Sequence, residues 1–335
     1  MKIKNLVKKV IVCCFVVLSL TMIAGCEQQE TNEKSTTNIQ MNDEVKSIEK
    51  EKLISLPEDI GNSESLIMFN QTNLGKPLLY TIGQDKQGYF YKKYTYEGNE
   101  WISEQAEFQD ACYKHNKEMI VQRVFNHEDF LYLITAVVID PEKNDYDLFL
   151  YRYNIKKETL KKVDFEQLSY EEKGTNTKYD IVDLQFVDDE NIIMAYNSGK
   201  IIGYNLLQKK VCEYKQQLYG NYSVFNNKLY TGDMAKKNII SFNLKTSSID
   251  DSIKVELQNC GYNFCTYNDE LYMGCKNGLY VLDGTEAEKL VGSEMFSVYA
   301  INDQAQVIAL CRDEQFFYVL FAQGNSYKLY AYKVD

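Results

Sequence analysis

The sequence predicts an all-β protein built as a β-propeller, and two observations lead to this prediction. Short apolar runs alternate with turns of Asn, Asp, Gly and Lys, and aromatic residues are frequent, with 27 Tyr and 16 Phe against 3 Pro. No long segment repeats its apolar residues at the helical period of about 3.6, so strands separated by turns are favoured. The second observation is an internal repeat, which indicates the architecture.

Each repeat contains a strand, a turn of acidic or amide residues, and a second strand with an aliphatic or aromatic anchor, as in Val224–Tyr230 and Cys265–Tyr272. A third strand ends in an aromatic residue that Asn or Asp often follows, as in Ile201–Asn205, and a shorter strand often closes the unit. The anchors, spaced 37 to 61 residues apart, are Tyr80, Tyr132, Ile193, Tyr230, Tyr272 and Tyr318. Four strands in about 40–50 residues is the period of propeller blades.

We predict six blades within a propeller domain at residues 51–335. The last repeat ends at its third strand, Lys328–Val334, so Glu51–Leu56 is expected to supply the missing strand and close the ring. A seventh, degenerate blade in the gaps at 95–120 or 164–180 stays open, as does a pair of β-sandwiches. The strand pattern resembles the broad class of bacterial propellers with quinoprotein-like or YVTN-like blades, and the resemblance implies a fold but no particular activity.

The N-terminus predicts export. Four lysines precede an apolar run at residues 10–23, which is shorter than the roughly 20 residues needed to cross a bilayer core and is typical of a secretion signal. The run ends in Ile23-Ala24-Gly25-Cys26, which resembles the lipobox of bacterial lipoproteins. The resemblance implies cleavage between Gly25 and Cys26 and attachment of lipid to Cys26.

This interpretation divides the N-terminal part in two. Residues 1–25 are the expected signal peptide, and residues 26–50 are a lipidated tether whose polar composition is too poor in apolar side chains to fold. The expected location is the outer face of the cytoplasmic membrane, with the lipid on Cys26 as the membrane contact. The bias to Lys, Asn, Ile and Tyr suggests a low-GC Gram-positive source.

The charge balance limits the classes of molecule that the chain is expected to bind. The chain has 48 acidic and 37 basic residues, a net charge of −11, and removal of the signal lysines makes it more negative. A strongly acidic surface disfavours nucleic acid, which is held by Lys and Arg, and disfavours lying flat on anionic lipid. We therefore predict no nucleic-acid partner.

Motifs for catalysis and cofactor binding are missing from the sequence. There is no Walker A loop, no G-x-G-x-x-G after a strand and no G-x-S-x-G elbow, and no cofactor is predicted. The two histidines, His115 and His127, lie in polar segments and are expected to be solvated. Cys260, Cys265 and Cys275 cluster in one repeat, where buried thiols are expected and a disulfide or soft-metal site stays open.

One acidic loop contains residues that could bind calcium. Asp140, Asp145 and Asp147 could supply the oxygen ligands that calcium prefers. The spacing does not match an EF-hand loop, so an elongated acidic hairpin tip is the favoured interpretation and no metal site is predicted.

Four tyrosines predicted to lie in loops are the candidates for ligand binding, namely Tyr113, Tyr170, Tyr219 and Tyr222. The other tyrosines mostly alternate within strands, which places them on the faces of blades. The first functional hypothesis is a non-enzymatic binding or scaffolding module for a protein, a peptide or a cell-wall glycan. The alternative is a hydrolase or lyase of surface polysaccharide that uses carboxylates and tyrosines in the central cleft.

Overall fold

The computed structural model describes residues 52–58, 60, 66–71, 76–84, 89–107, 119–140, 145–165, 168–171, 173–174, 177–233, 238–255, 262–275, 278–292, 306–323 and 326–333. Clustering of contacts divides the chain into Met1–Glu44 with Val138–Tyr146, and Val45–Val137 with Asp147–Asp335. In the first unit the described residues are the adjoining ends of two strands, at 138–140 and 145–146. The second unit contains the propeller.

The described chain forms 25 strands and six antiparallel sheets, which are the six predicted blades. It starts at β1 (Lys52–Ile54). Blade 1 has β2 (Leu66–Gln71), β3 (Pro77–Gln84), β4 (Tyr89–Glu97) and β5 (Glu100–Glu107). Blade 2 has β6 (Met119–His127), β7 (Phe130–Asp140), β8 (Asp145–Asn154) and β9 (Thr159–Val163). Blade 3 has β10 (Ser169–Glu171), β11 (Lys178–Phe186), β12 (Asn191–Tyr196), β13 (Lys200–Asn205) and β14 (Lys210–Gln217).

The remaining blades follow the same plan. Blade 4 has β15 (Tyr222–Phe225), β16 (Lys228–Asp233), β17 (Asn238–Asn243) and β18 (Ser248–Lys254). Blade 5 has β19 (Tyr262–Tyr267), β20 (Glu270–Cys275), β21 (Gly278–Asp283) and β22 (Glu286–Gly292). Blade 6 has β23 (Gln306–Arg312), β24 (Phe316–Gln323), β25 (Ser326–Lys333) and β1.

The first long strand of each blade faces the centre. These inner strands contact one another in the order β2, β6, β11, β15, β19 and β23, and β23 contacts β2 again. This closed ring excludes a pair of β-sandwiches. Residues of the gap at 164–180 supply β10, a fifth strand of blade 3, in place of the seventh blade that the sequence left open.

Turn chemistry explains why the repeat forms hairpins. Residues Asn226 and Asn227 both have positive φ, as do Asn268 and Asp269, and each pair is the two-residue turn between an inner strand and its neighbour. Asn and Asp tolerate this conformation, which gives the type I′ turn that suits the twist of a hairpin.

In two of the blades, the Asn that ends the third strand of the repeat accepts hydrogen bonds from the turn that follows it. The Oδ1 atom of Asn205 accepts hydrogen bonds from the backbone N–H groups of Leu207 and Gln208, at 3.1 and 2.7 Å. The Oδ1 atom of Asn243 does the same in blade 4, at 2.9 and 3.1 Å. The repeated Asn is therefore a turn residue, because its short side chain satisfies backbone donors that the strands leave unpaired.

The core lies between the blades. Buried apolar residues of the described chain form six clusters, and each joins two neighbouring blades. Alternation along β7 shows how this is achieved: Leu131 and Leu133 pack towards blade 1, whereas Tyr132 and Ile134 pack towards blade 3. Successive side chains of a strand point to opposite faces of its sheet, so each blade is covered on both sides.

Closure of the ring confirms the prediction for the N-terminal strand. Strand β1 pairs antiparallel with β25, with Leu53 opposite Tyr330 and Ile54 opposite Leu329. The Ile54 side chain is buried in the cluster between blades 6 and 1. The strand thus completes the sheet of blade 6 and contributes to the junction with blade 1.

A pair of substitutions in β1 tests the closure. Ile54→Ala is expected to lower the free energy of unfolding by about 2–4 kcal/mol, because it removes buried atoms from a packed cluster. Leu53→Ala is the control, since Leu53 is 55% exposed and should change the free energy by less than about 0.5 kcal/mol. Urea unfolding measures both, and equal effects would show that β1 does not contribute to the core.

Candidate functional site

Two of the four predicted ligand-binding tyrosines meet on one surface of blade 3. The turn Asn197–Gly199 joins β12 to β13, and Tyr170 lies on β10, whose partner is β11. Tyr219 follows β14, in the connection that leads to blade 4. Three separate segments of chain therefore converge on Ser198.

Tyr170 is fixed by its hydroxyl and by its ring. Its hydroxyl oxygen lies 2.5 Å from Ser198 Oγ, a distance at which either group can donate. Its ring lies 5.1 Å from that of buried Tyr196 in an edge-on arrangement, and Lys200 Nζ lies 4.6 Å from its centroid. Lys200 in turn pairs with Glu213 at 3.0 Å, so its charge is partly balanced within the same surface.

Tyr219 covers the neighbouring glycine and is 56% exposed. Its hydroxyl donates a hydrogen bond to the backbone oxygen of Ser198 at 2.8 Å. A Cβ atom on Gly199 would lie 2.5 Å from the Tyr219 ring, and Gly199 has a φ of +79°, a region that glycine adopts without strain. Gly199 is therefore required for the approach of the ring. We call Tyr170, Ser198, Gly199 and Tyr219 the tyrosine platform.

The other two candidate tyrosines, Tyr222 and Tyr113, do not form part of the tyrosine platform. Tyr222 is buried, and its hydroxyl donates to the backbone oxygen of Leu218 at 2.5 Å. Burial raises its pKa above the ordinary range of tyrosine. The prediction that Tyr222 lies in a loop is wrong, because the residue starts β15 and packs into the cluster between blades 3 and 4. The same prediction is wrong for Tyr170, which pairs with Tyr179 as part of strand β10. Tyr113 lies outside the described residues.

Polar side chains join successive inner strands around the ring. Asp183 on β11 accepts a hydrogen bond from the backbone N–H of Tyr222 on β15. The Asn221 side chain, just before β15, donates to the backbone oxygen of Tyr262 on β19. Asn263 on β19 donates to the backbone oxygen of Ile308 on β23 at 2.7 Å. These bonds tie blades 3 to 6 together.

Asp183 is the ionisable member of this set. It also accepts hydrogen bonds from Leu184 N at 2.7 Å and from Gln185 Nε2 at 3.1 Å. Burial is the largest influence on its pKa and raises it from 3.8 to about 6, although these hydrogen bonds and the charge of Arg123 act in the opposite direction. Desolvation disfavours the charged carboxylate, so the proton is held more tightly in the folded state.

The raised pKa of Asp183 predicts a pH-dependent stability. The proton on Asp183 stabilises the folded state fully below pH 3.8, the ordinary pKa of this carboxyl group. This contribution is lost as the pH rises through about 6, the pKa in the folded state. Relative to Asp183→Asn, which cannot ionise, the native chain is expected to lose about 1–3 kcal/mol of unfolding free energy across this window. Urea unfolding between pH 4 and pH 7 measures the difference, and parallel profiles would contradict the assignment.

The geometry of Asp183 favours a structural role. Asn263 makes the corresponding link between blades 5 and 6 with an uncharged amide. The six inner strands, within the described residues, contribute only Asp180 and Asp183 as carboxylic acids, and both lie on β11. A glycosidase places two carboxyl groups on either side of the scissile bond. The described inner strands therefore place no pair of carboxyl groups on two different strands.

His127 requires a correction. It ends β6, and its ring stacks on Phe186 of blade 3 with centroids 4.0 Å apart and an angle of 6° between planes. Its Nε2 atom lies 3.1 Å from Asp189 Oδ1. The prediction of a solvated loop residue is wrong, because the turn after β6 faces the next blade and not only solvent. His115 lies outside the described residues.

The cysteines and the acidic loop give no metal centre in the described chain. Cys265, Cys275 and Cys311 are buried and Cys212 is exposed, while Cys260 lies outside the described part. Asp140 ends β7, Asp145 begins β8 and Asp147 is exposed on β8, and residues 141–144 are not described. The described residues include no group of three or more His, Cys, Asp or Glu that could hold a metal ion.

Sequence reasoning missed Ser198 and Gly199, the residues on which the two tyrosines meet. The available signal was the run Asn197-Ser198-Gly199, which predicts a tight turn between two apolar strands. The turn alone does not reveal which side chains approach it from other segments. Within the described part of the chain, no helix is long and apolar enough to span a membrane.

Comparison with known protein families and with curated proteins finds no match. Solved structures similar to this chain include BamB from Moraxella catarrhalis, with 10% identity and a TM-score of 0.41, covering 82% of this chain and 83% of that one. YCF48 from Cyanidioschyzon merolae has 12% identity and a TM-score of 0.45 over 84% and 98% of the two chains. YCF48 bound to D1 peptide has 9% identity and a TM-score of 0.49 over 85% and 96%. Likeness at this level supports no inference about a ligand, so the propeller assignment rests on the strand order of this chain.

Proposed function

We propose that this chain is a lipid-anchored extracytoplasmic binding protein whose propeller holds a protein, peptide or glycan partner at the tyrosine platform, without catalysis. The observation that supports the proposal is the fixation of Tyr170 and Tyr219 by one serine. Each hydroxyl is directed inward, to Ser198 Oγ and to Ser198 O respectively. The ring of Tyr219 is 56% exposed and therefore available to a partner.

The platform suits binding because it is ordered before a partner arrives. Tyrosine offers a large contact area with few rotatable bonds, so little conformational entropy is lost on binding. Here the hydroxyl bonds and the contact with Gly199 hold the rings in place, which lowers the entropic cost of association further. Tyrosine is also among the residues that most often dominate binding energy at interfaces.

The proposed location follows from the lipobox. Cys26 would carry the lipid, and the polar residues between Cys26 and β1 would act as a flexible spacer spanning roughly 25–30 Å. We infer that the propeller works at the outer face of the cytoplasmic membrane, in a Gram-positive cell. A partner in the cell wall or at the membrane surface would lie within reach.

Mass spectrometry tests the anchor. The chain isolated from membranes is expected to begin at Cys26 and to carry acyl chains on that residue, because two or more chains are needed for stable anchoring. Cys26→Ser should prevent lipid attachment and shift the protein from the membrane fraction to the soluble fraction. A native chain that carries no fatty acid would contradict the proposal.

A photo-crosslinking experiment tests the platform. A photoreactive phenylalanine derivative at position 219 is expected to form a discrete adduct in intact cells, which mass spectrometry identifies as protein or glycan. The same group at position 207 is the control, because Leu207 is 72% exposed in the turn at the opposite end of β13. Adducts from both positions, or from neither, would contradict a partner at the platform.

Two glycine variants separate the platform from the rest of the fold. Gly199→Ala places a Cβ atom 2.5 Å from the Tyr219 ring, whereas Gly98→Ala meets nothing within 4 Å, although both glycines have positive φ. With the photoreactive group at position 219, Gly199→Ala is expected to reduce the adduct by about tenfold, while Gly98→Ala retains it. Equal yields in the two variants would show that the packing of the platform does not govern binding.

A further inference from the structure

Strand β10 ends the sheet of blade 3 on the side of the central axis. The strands of this sheet follow the order β10-β11-β12-β13-β14, and β11 is the inner strand that contacts the inner strands of blades 2 and 4. Among the described strands β10 pairs with β11 alone, so its other edge has no strand partner in this part of the chain. An unpaired edge presents backbone N–H and C=O groups that a second chain can bind.

The hydrogen bonds of β11 show which groups of β10 face this edge. Opposed residues of an antiparallel pair alternate between hydrogen-bonded and non-hydrogen-bonded pairs. Ile181 N donates to Leu168 O at 3.0 Å, so these two residues form a hydrogen-bonded pair. Asp180 directs its backbone to the other side of β11, where Asn197 N donates to Asp180 O at 3.0 Å. Ser169, which lies opposite Asp180, is therefore in a non-hydrogen-bonded pair.

The same alternation continues along β10. Tyr170 forms the next hydrogen-bonded pair, with Tyr179, and Glu171 forms the next non-hydrogen-bonded pair, with Lys178. The backbone N–H and C=O groups of Ser169 and Glu171 therefore point away from β11, and no backbone hydrogen bond in the described turns and loops uses them. We call these four groups the β10 edge. Their two-residue spacing is the one at which an added strand forms hydrogen bonds.

The side chains beside the β10 edge differ between the two faces of the strand. The rings of Tyr170 and Tyr179 lie on one face, with centroids 5.3 Å apart. Ser169 and Glu171 lie on the other face, because successive side chains of a strand alternate, and Glu171 is exposed. An added strand would place one residue opposite Tyr170 and its neighbour opposite Glu171. Cross-strand contacts favour an apolar side chain at the first of these positions and a basic one at the second.

We propose that the partner at the tyrosine platform is an extended peptide segment that adds a strand to the β10 edge. The inference rests on the proposed function, because Tyr170 belongs to the platform and also to β10, and it selects a peptide over a glycan. The peptide backbone exchanges hydrogen bonds with Ser169 and Glu171, and an apolar side chain packs on Tyr170. This is strand addition, in which backbone hydrogen bonds supply affinity and side chains supply specificity.

A display library of short random peptides, selected on the immobilised full chain, supplies the probe. Peptides that contain an apolar residue directly beside a basic one are expected to be enriched, because these residues would lie opposite Tyr170 and Glu171. A selection that enriches no peptide would overturn the proposal.

Methylation of the selected peptide, one backbone nitrogen at a time, tests strand pairing and leaves the protein unaltered. The nitrogens that face the β10 edge belong to alternate residues. Methyl groups at these positions are expected to weaken binding by about three- to tenfold through loss of a hydrogen bond, whereas those at the intervening positions are tolerated. Isothermal titration measures the affinities, and a scan without alternation would overturn the proposal.

Two substitutions of Glu171 locate the peptide on the protein. Glu171→Pro removes an N–H group of the β10 edge and none that pairs with β11, a position at which an edge strand tolerates proline. It is expected to weaken peptide binding by about three- to tenfold relative to Glu171→Ala, which removes the same side chain and keeps the N–H group. Urea unfolding checks that both variants fold, and equal affinities of the two folded variants would overturn the proposal.

Crosslinking in cells separates this proposal from the proposed function. An adduct at position 219 that proves to be a glycan would support the platform and overturn the peptide as its partner. Alternating peptide binding at the β10 edge without any adduct at position 219 would support the β10 edge and contradict the platform as the binding site in cells.

Discussion

Packing between adjacent sheets is the interaction on which the rest of the structure depends. Each blade has two apolar faces, and in the described chain the buried side chains of one face always pack with those of the next blade. A single four-stranded sheet cannot cover its own faces, so its stability comes from its neighbours. Both faces of every blade are covered only when the ring closes. The three residues of β1, which pair with β25, therefore affect the stability of the whole ring.

The inner strands meet a second requirement, which is to satisfy backbone groups where neighbouring sheets converge. Asp183, Asn221 and Asn263 each reach the backbone of the next blade. A side chain that bonds to backbone is needed here because strands of different blades do not share a ladder of hydrogen bonds. The use of Asn at one position and Asp at another shows that the hydrogen bond, and not the charge, is the common feature.

The proposed binding surface lies where segments from different parts of the chain meet. The tyrosine platform combines the β10–β11 hairpin, the turn before β13 and the connection after β14. A rigid ring is well suited to this arrangement, since the packed blades hold the contributing segments in fixed relative positions and the surface needs little rearrangement to bind.

The sequence by itself determined the all-β class, the repeat and the strand that closes the ring, and it favoured six blades while leaving a seventh open. These are local properties: the Asn-Asn and Asn-Asp turns set hairpins, and alternation along a strand such as β7 sets two buried faces. Only the tertiary structure decided that Tyr222 is buried, that His127 stacks on Phe186, and that Tyr170 and Tyr219 share Ser198. Contacts between residues distant in sequence depend on how the blades are placed around the axis, and periodicity within one blade carries no information about that placement.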